Sequence, residues 1–427
     1  MAPSPTLIRR RLAAFALLAA IAITAIPQVD AGAAAPRHRA PTWARTGDRG
    51  LSSPAIPIAR ARTAERAIVW SDLDTDDRWA RDAIDHVGAT NDWMRDFAPD
   101  PDGRFPFQPE TIETRKYFAR AVVRAFAPAD EVDPTITFAD LDPSDPLYPY
   151  ANIAVQRRWM RRTAAGGFAP DVPVTTTMVH RVLTLALGMG PAIKALNHLH
   201  TEDGATFELP ANFGSLLLGM RLGLRYNNRS DESQDVGPRT PLSRAQVAYS
   251  LYRATTQPSW SVPALLDEYE GIVLPSLSES ARAIVQWGVR YVGYPYVYAG
   301  EWGMPTSAQP VPGFDCSGLT WWLMRANDGG AWAVAPPRPY AGWTLAERSS
   351  ADMAATGKRL TFEQLLPGDL MFYDGDGDGR VDHVDTFIGA GWALDSSSTP
   401  GGVTIMWVGD GWYRDHFVHG RRILRGV

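Results

Sequence analysis

The chain has 427 residues and a formal net charge of −5, with 21% of its residues charged and 45% hydrophobic. That length exceeds one ordinary core and predicts several domains in a globular protein. No basic excess exists to neutralise phosphates, which excludes nucleic acid as the main partner.

The first element is a leader. Arg9, Arg10 and Arg11 precede an almost unbroken apolar run over residues 12–26, and Ala31-Gly32-Ala33 offers an A-x-A cleavage site. The run is shorter than the ~20 residues that span a bilayer. Residues 1–33 are therefore expected to be a signal peptide, and the mature protein to be secreted with no membrane segment. Residues 34–66, rich in Pro, Ala, Arg, Ser and Thr and without periodicity, read as a linker.

Residues 67–256 repeat weakly, with a period of roughly 60 residues. An extended segment leads into an amphipathic helix three times, within residues 67–128, 134–190 and 205–256. The helices begin KYFARAVVRAF, TMVHRVLTLAL and AQVAYSLYRA. Tyr117, Phe118, Ala121, Val122 and Ala125 align with Met178, Val179, Val182, Leu183 and Ala186, the stripe of a half-buried helix. Thr114, Thr175 and Ser243 stand where N-cap hydroxyls start each helix. Further helices are expected over residues 79–93 and 150–160. The pattern resembles S-layer homology (SLH) repeats, carried by Phe138-Ala139-Asp140, Phe168-Ala169-Pro170 and Thr114-Arg115. That resemblance implies a three-repeat helical module binding a secondary polymer of the cell envelope. Its Thr-Arg arginine is present as Arg115 and Arg244 but replaced by Thr176 in the second copy.

Residues 257–276 read as a second linker, and residues 277–427 as a separate domain. SLSESARAIVQWGVRYVG predicts a helix capped by Ser278 or Ser280. Strand-like runs follow over residues 369–373, 383–388, 391–396 and 402–408. A helix followed by consecutive strands implies an α+β domain with an antiparallel sheet.

The only cysteine is Cys316, so no internal disulfide can form. It lies in Gly313-Phe314-Asp315-Cys316-Ser317-Gly318-Leu319, just ahead of a helix-compatible run. A thiol at a helix N-terminus meets unpaired N–H groups and the positive dipole end, which favour the thiolate and can bind an oxyanion. The small Ser317 and Gly318 leave room for a substrate backbone. A thiolate nucleophile needs a general base. Of the histidines after Cys316, His383 opens a strand, whereas His416 and His419 lie among exposed-looking charges.

YVGYPYVYAG, FDCSGL, LLPGDLMFY and HVDTFIGAG, in that order, resemble the NlpC/P60 family of papain-like cell-wall cysteine peptidases. The resemblance implies Cys316 as nucleophile, His383 as base and Asp395, at the start of the next strand, as the residue orienting His383. Asp395 departs from the His, Asn or Gln more usual there. Tyr296 would hydrogen-bond near the nucleophile or substrate, and the Cys316 N–H would serve the oxyanion. The implied substrate is the peptidoglycan stem peptide, typically cut between D-glutamate and the following diamino acid. An inactive envelope-binding relative, or an amidase or transpeptidase, remains the alternative.

Finally, residues 374–385 match a calcium-loop pattern: Asp374, Asp376 and Asp378 at positions one, three and five, Arg380 at seven, Asp382 at nine and Asp385 at twelve. The chemistry requires no cofactor, and a structural Ca2+ is expected here or else a polar hairpin turn. The whole reading is a secreted multidomain protein of the cell wall: an α-helical three-repeat module, then an α+β peptidase.

Overall fold

This computed structural model describes residues 68–228, 232–303, 305–307, 309, 311–324, 345–399 and 401–424. The expected leader and the 34–66 linker lie outside the described residues. No helix among the described residues is long and apolar enough to cross a membrane.

The first half is helical. α1 (Arg81–Ile84) runs on into a π-type segment, Asp85–Thr90. It is followed by α2 (Arg115–Phe126), α3 (Tyr148–Gln156), α4 (Thr176–Ala186), α5 (Gly190–Asn197), α6 (Phe213–Arg221) and α7 (Arg244–Thr255). Thr114, Thr175 and Ser243 occupy the N-cap positions of α2, α4 and α7, but the Thr114 hydroxyl makes no capping bond. Thr175 and Ser243 accept from the amides three residues on, and Ser243 with Gln246 completes a capping box. The residues just before the three caps form a closed ring of backbone bonds: Glu113 N donates to Leu242 O, Leu242 N to Val174 O, and Val174 N to Glu113 O, at 2.9, 2.9 and 3.0 Å. The first-turn amides bond across in the same sense: Arg115 N donates to Val172 O, Thr176 N to Thr240 O and Arg244 N to Thr111 O.

Packing follows the same cycle. α3 lies on α2, α6 on α4, and α1 closes on α7. The buried stripe of α2 includes Phe118, Ala121 and Val122 but leaves Tyr117 and Ala125 half-buried. Arg115 and Arg244 turn inward. Their Nε atoms donate to Phe168 O and Phe107 O, each at 2.8 Å, gripping the adjoining repeat's turn. Thr176 cannot reach that far, and the guanidinium of Arg225 takes the place, donating to Val236 O at 3.5 Å.

The stretch read as a second linker carries α8 (Ser261–Tyr269), which packs against α5. Tyr269 is fully buried, and its hydroxyl donates to Ile405 O at 2.6 Å, so this segment joins the two halves.

In the second half come α9 (Glu279–Gly288), α10 (Cys316–Met324), α11 (Ser350–Ala355) and α12 (Gly411–Asp415). Ser278 caps α9. β1 (Glu301–Trp302) and β2 (Gly313–Phe314) make a small hairpin ahead of α10. The main sheet contains β3 (Arg359–Leu360), β4 (Leu370–Tyr373), β5 (His383–Gly389), β6 (Trp392–Ser397), β7 (Gly402–Trp407) and β8 (Phe417–Arg421). Its order is β3-β8-β4-β5-β6-β7, and every pairing is antiparallel. The expected strands are present. β8 is additional: the sequence reading placed His419 among exposed charges, but it is a buried residue of this strand.

Candidate active site

Cys316 is the first residue of α10, and α10 packs on β5 and β6. The turn before it is rigid. Asp315 Oδ1 accepts from Gly318 N at 2.5 Å and from Ser317 Oγ at 3.1 Å. Phe314 O accepts from Ser396 Oγ of β6 at 2.8 Å, which ties the turn before Cys316 to the strand carrying Asp395. Gly318 serves the fold rather than the substrate: a Cβ there would collide with the carbonyl oxygen of Gly300.

Arg348 also belongs to this turn. It donates to Ser317 Oγ (2.8 Å), Asp315 Oδ1 (3.3 Å), Glu301 Oε2 (2.5 Å) and Ala299 O (3.1 Å). No motif marks it in the sequence, because it lies thirty-two positions after Cys316, between the family-like strings FDCSGL and LLPGDLMFY.

His383 opens β5 and is paired across to Tyr373 of β4. Its Nε2 stands 3.1 Å from Asp385 Oδ1 and 3.1 Å from Asp395 Oδ1. Both aspartates are fully buried. Burial works against the charged ring. The carboxylates of Asp385 and Asp395 and the sulfur of Cys316 outweigh it and hold the His383 pKa well above its ordinary range. The ring is thus held in its charged form, with a proton available to give. Tyr296 is half-buried nearby. Burial, then the charges of Cys316 and Asp315, push its phenol well up, so it stays a neutral hydrogen-bond donor.

Cys316, His383, Asp395 and Tyr296 are therefore brought together. His416 and His419 are engaged elsewhere, by Trp412 O at 2.8 Å and by Ala354 O at 3.1 Å.

The calcium-loop set divides. Oxygens of Asp374, Asp376 and Asp378 converge within 4.8 Å of one another. Asp374 already accepts from the amides of Gly377, Asp378 and Gly379, and the Asp378 carboxylate accepts from Arg380 N at 2.8 Å. Asp382 is outside that group and accepts from Gly375 N at 3.0 Å. Asp385 is not in the loop at all. It lies on β5 against His383, because residues two apart on a strand share a face. That alternation was the signal in the sequence for grouping it with the base.

Residues 293–422 match the NlpC/P60 family. Over 128 residues the chain is 29% identical to the gamma-D-glutamyl-L-lysine dipeptidyl-peptidase of Bacillus subtilis, covering 30% of this chain and 36% of that one. It is 31% identical over 136 residues to the peptidoglycan endopeptidase RipB of Mycobacterium tuberculosis, covering 30% and 48%. A crystal structure of an NlpC/P60 family protein from Bacillus cereus matches at 27% identity and a TM-score of 0.27, covering 36% of this chain and 42% of that one. The chain spans between 36 and 48% of the length of the first three curated relatives it matches.

Proposed function

We propose that this protein is a secreted peptidoglycan endopeptidase that hydrolyses stem peptides through Cys316, His383 and Asp395, with the bond after D-glutamate as its target. The observation that carries the reading is the placement of His383, its Nε2 3.1 Å from the buried carboxylates of Asp385 and Asp395, on strands against which the helix headed by Cys316 packs. The family match over residues 293–422 and the names of the relatives support the substrate class.

In this reading the Cys316 thiolate attacks the scissile carbonyl, and the Cys316 N–H together with the Tyr296 hydroxyl faces the developing oxyanion. The C–N bond breaks as His383 gives its proton to the leaving amine. Water, deprotonated by His383, then attacks the thioester; the C–S bond breaks, the acid leaves, and the Cys316 thiolate is restored beside the imidazolium that took the water's proton. Digestion of defined muropeptides, with mass analysis of products in the presence and absence of an amine acceptor, tests the reaction. New free carboxyl and amino ends at a D-glutamyl bond support hydrolysis. Cleavage of the sugar–peptide amide, or capture of the acceptor, would assign an amidase or transpeptidase.

The helical half, on the same reading, holds the enzyme to a secondary cell-wall polymer and raises its concentration near substrate. Three cyclically bonded repeats and a cleft of about 420 Å³ lined by Trp93, Arg124, Asp130 and Tyr150 support this. Aromatic faces beside charged groups suit a sugar polymer. Full-length protein carrying Cys316→Ala should sediment with intact walls and stay in solution with walls stripped of that polymer. Equal retention on both would remove the anchoring role. The Asp374, Asp376 and Asp378 carboxylates are proposed as a surface calcium site with no part in the chemistry.

A further inference from the structure

We infer that Asp385 is a second positioning residue for His383, and that Asp385 and Asp395 hold one proton between them behind the imidazole. The inference deepens the peptidase reading and rests on it.

The sheet register places the groups. Thr386 pairs with Leu394 and Phe387 with Ala393. Continuing that register by one residue sets Asp385 directly across from Asp395. His383, two residues before Asp385, is on the same face. The contact of His383 Nε2 with Asp385 Oδ1 has hydrogen-bond geometry at 3.1 Å, whereas Asp395 Oδ1 stands at 3.1 Å as an ion pair. Asp385 therefore takes the aligned bond, although Asp395 is the residue the family pattern nominates.

One ring N–H can serve one carboxylate at a time. Two ionised carboxylates facing each other across neighbouring strands repel, and a single imidazolium compensates only one buried charge. A proton between the aspartates removes the excess. The other groups facing the pair supply little positive charge. They are the phenols of Tyr373 on β4 and Tyr413 on α12, with the Cys316 sulfur on α10 acting on the same histidine. Tyr413 donates to Asp395 Oδ2 at 3.3 Å, and Arg221 of α6 acts on that phenol from behind. Burial, then the Asp395 charge, push the Asp385 carboxyl up to about 7. With Nε2 committed to the aspartates, Nδ1 is left to face the thiol. Loss of the shared proton to solvent above neutral pH adds a second negative charge, tightens the hold on the imidazolium proton and slows its delivery to the leaving amine.

The test measures kcat, KM and the rate of Cys316 alkylation by iodoacetamide from pH 5.5 to 9, in wild type, Asp385→Asn and Asp385→Ala. Asn imitates the protonated acid: it accepts from the ring and donates to Asp395. Wild type should show an alkaline-side inflection near neutrality in kcat that Asp385→Asn lacks. Asp385→Asn should lose less than about tenfold in kcat and Asp385→Ala more, with KM within about twofold in both, since the residue is shielded from substrate. Persistence of the inflection in Asp385→Asn, or equal losses in both variants with an unchanged pH profile, would overturn the inference. Alkylation needs no substrate. A wild type that alkylates but cuts nothing would sink the peptidase reading, while its alkylation profile would still decide the role of Asp385.

Discussion

At the scale of single residues, several contacts hold the turn that carries Cys316. Arg348 joins Asp315, Ser317 and Glu301, and its pKa is raised because those acids outweigh its burial. Arg348→Met should lower cleavage by on the order of tenfold, chiefly in kcat, because a small misplacement of a reacting group has large kinetic cost. Unchanged kinetics would show that Asp315 alone holds the turn. Cys316 and His383 were legible because each stands in a short string with a mechanical reason, a helix start and a strand start. Arg348 was not legible, since only folding brings it to Asp315. Asp385 was misread for a different reason: one aspartate fitted two periodicities, and the loop spacing hid the strand alternation.

Among the elements, helix starts were the most readable features. Thr175, Ser243 and Ser278 cap their helices through their hydroxyls, whereas Thr114 holds the N-cap position without a side-chain cap bond. Short or wholly buried elements were not readable. α6 has no polar face to reveal its period, and β8 is interrupted by His419 and Gly420. Burial of α4 against α6 has a pH consequence. His180 is 1% exposed, and burial, then the charge of Arg225, depress its pKa to about 3. The unfolded chain binds a proton below the ordinary histidine value of 6.5 that the fold refuses until about 3. Stability present above pH 6.5 is therefore lost on acidification as the unfolded chain takes up this proton. His180→Leu should flatten the fall in Tm between pH 6.5 and 5, and an unchanged slope would assign the fall to other groups. The Asp-Gly loop offers three convergent carboxylates, fewer than a full calcium loop, so binding should be weak. Millimolar calcium should raise Tm, and Asp376→Asn should abolish the rise. No shift in wild type would leave the loop as a hairpin turn.

Across the whole molecule, the two halves meet along β7 and the strand-like segment before α10. Arg221 contacts Glu268 (2.8 Å), Tyr269 (2.6 Å) and Met406 (3.1 Å), and Arg225 donates to Gly401 O, the carbonyl that also accepts from Tyr296 N. Glu232 accepts from Tyr298 N at 2.8 Å. The helical half thus touches the segment that carries Tyr296. A division into module, linker and peptidase followed from composition, but composition cannot show that Tyr269, inside the apparent linker, is fully buried between them.

The claim at the centre of this account is that Cys316 cuts peptide bonds in the cell wall. Purified peptidoglycan digested by wild type and by Cys316→Ala, with soluble products identified by mass spectrometry, tests it most directly. The account expects new stem-peptide ends from wild type and none from Cys316→Ala. Equal release by both, or release by neither in calcium-containing buffer across pH 5.5 to 8, would contradict it.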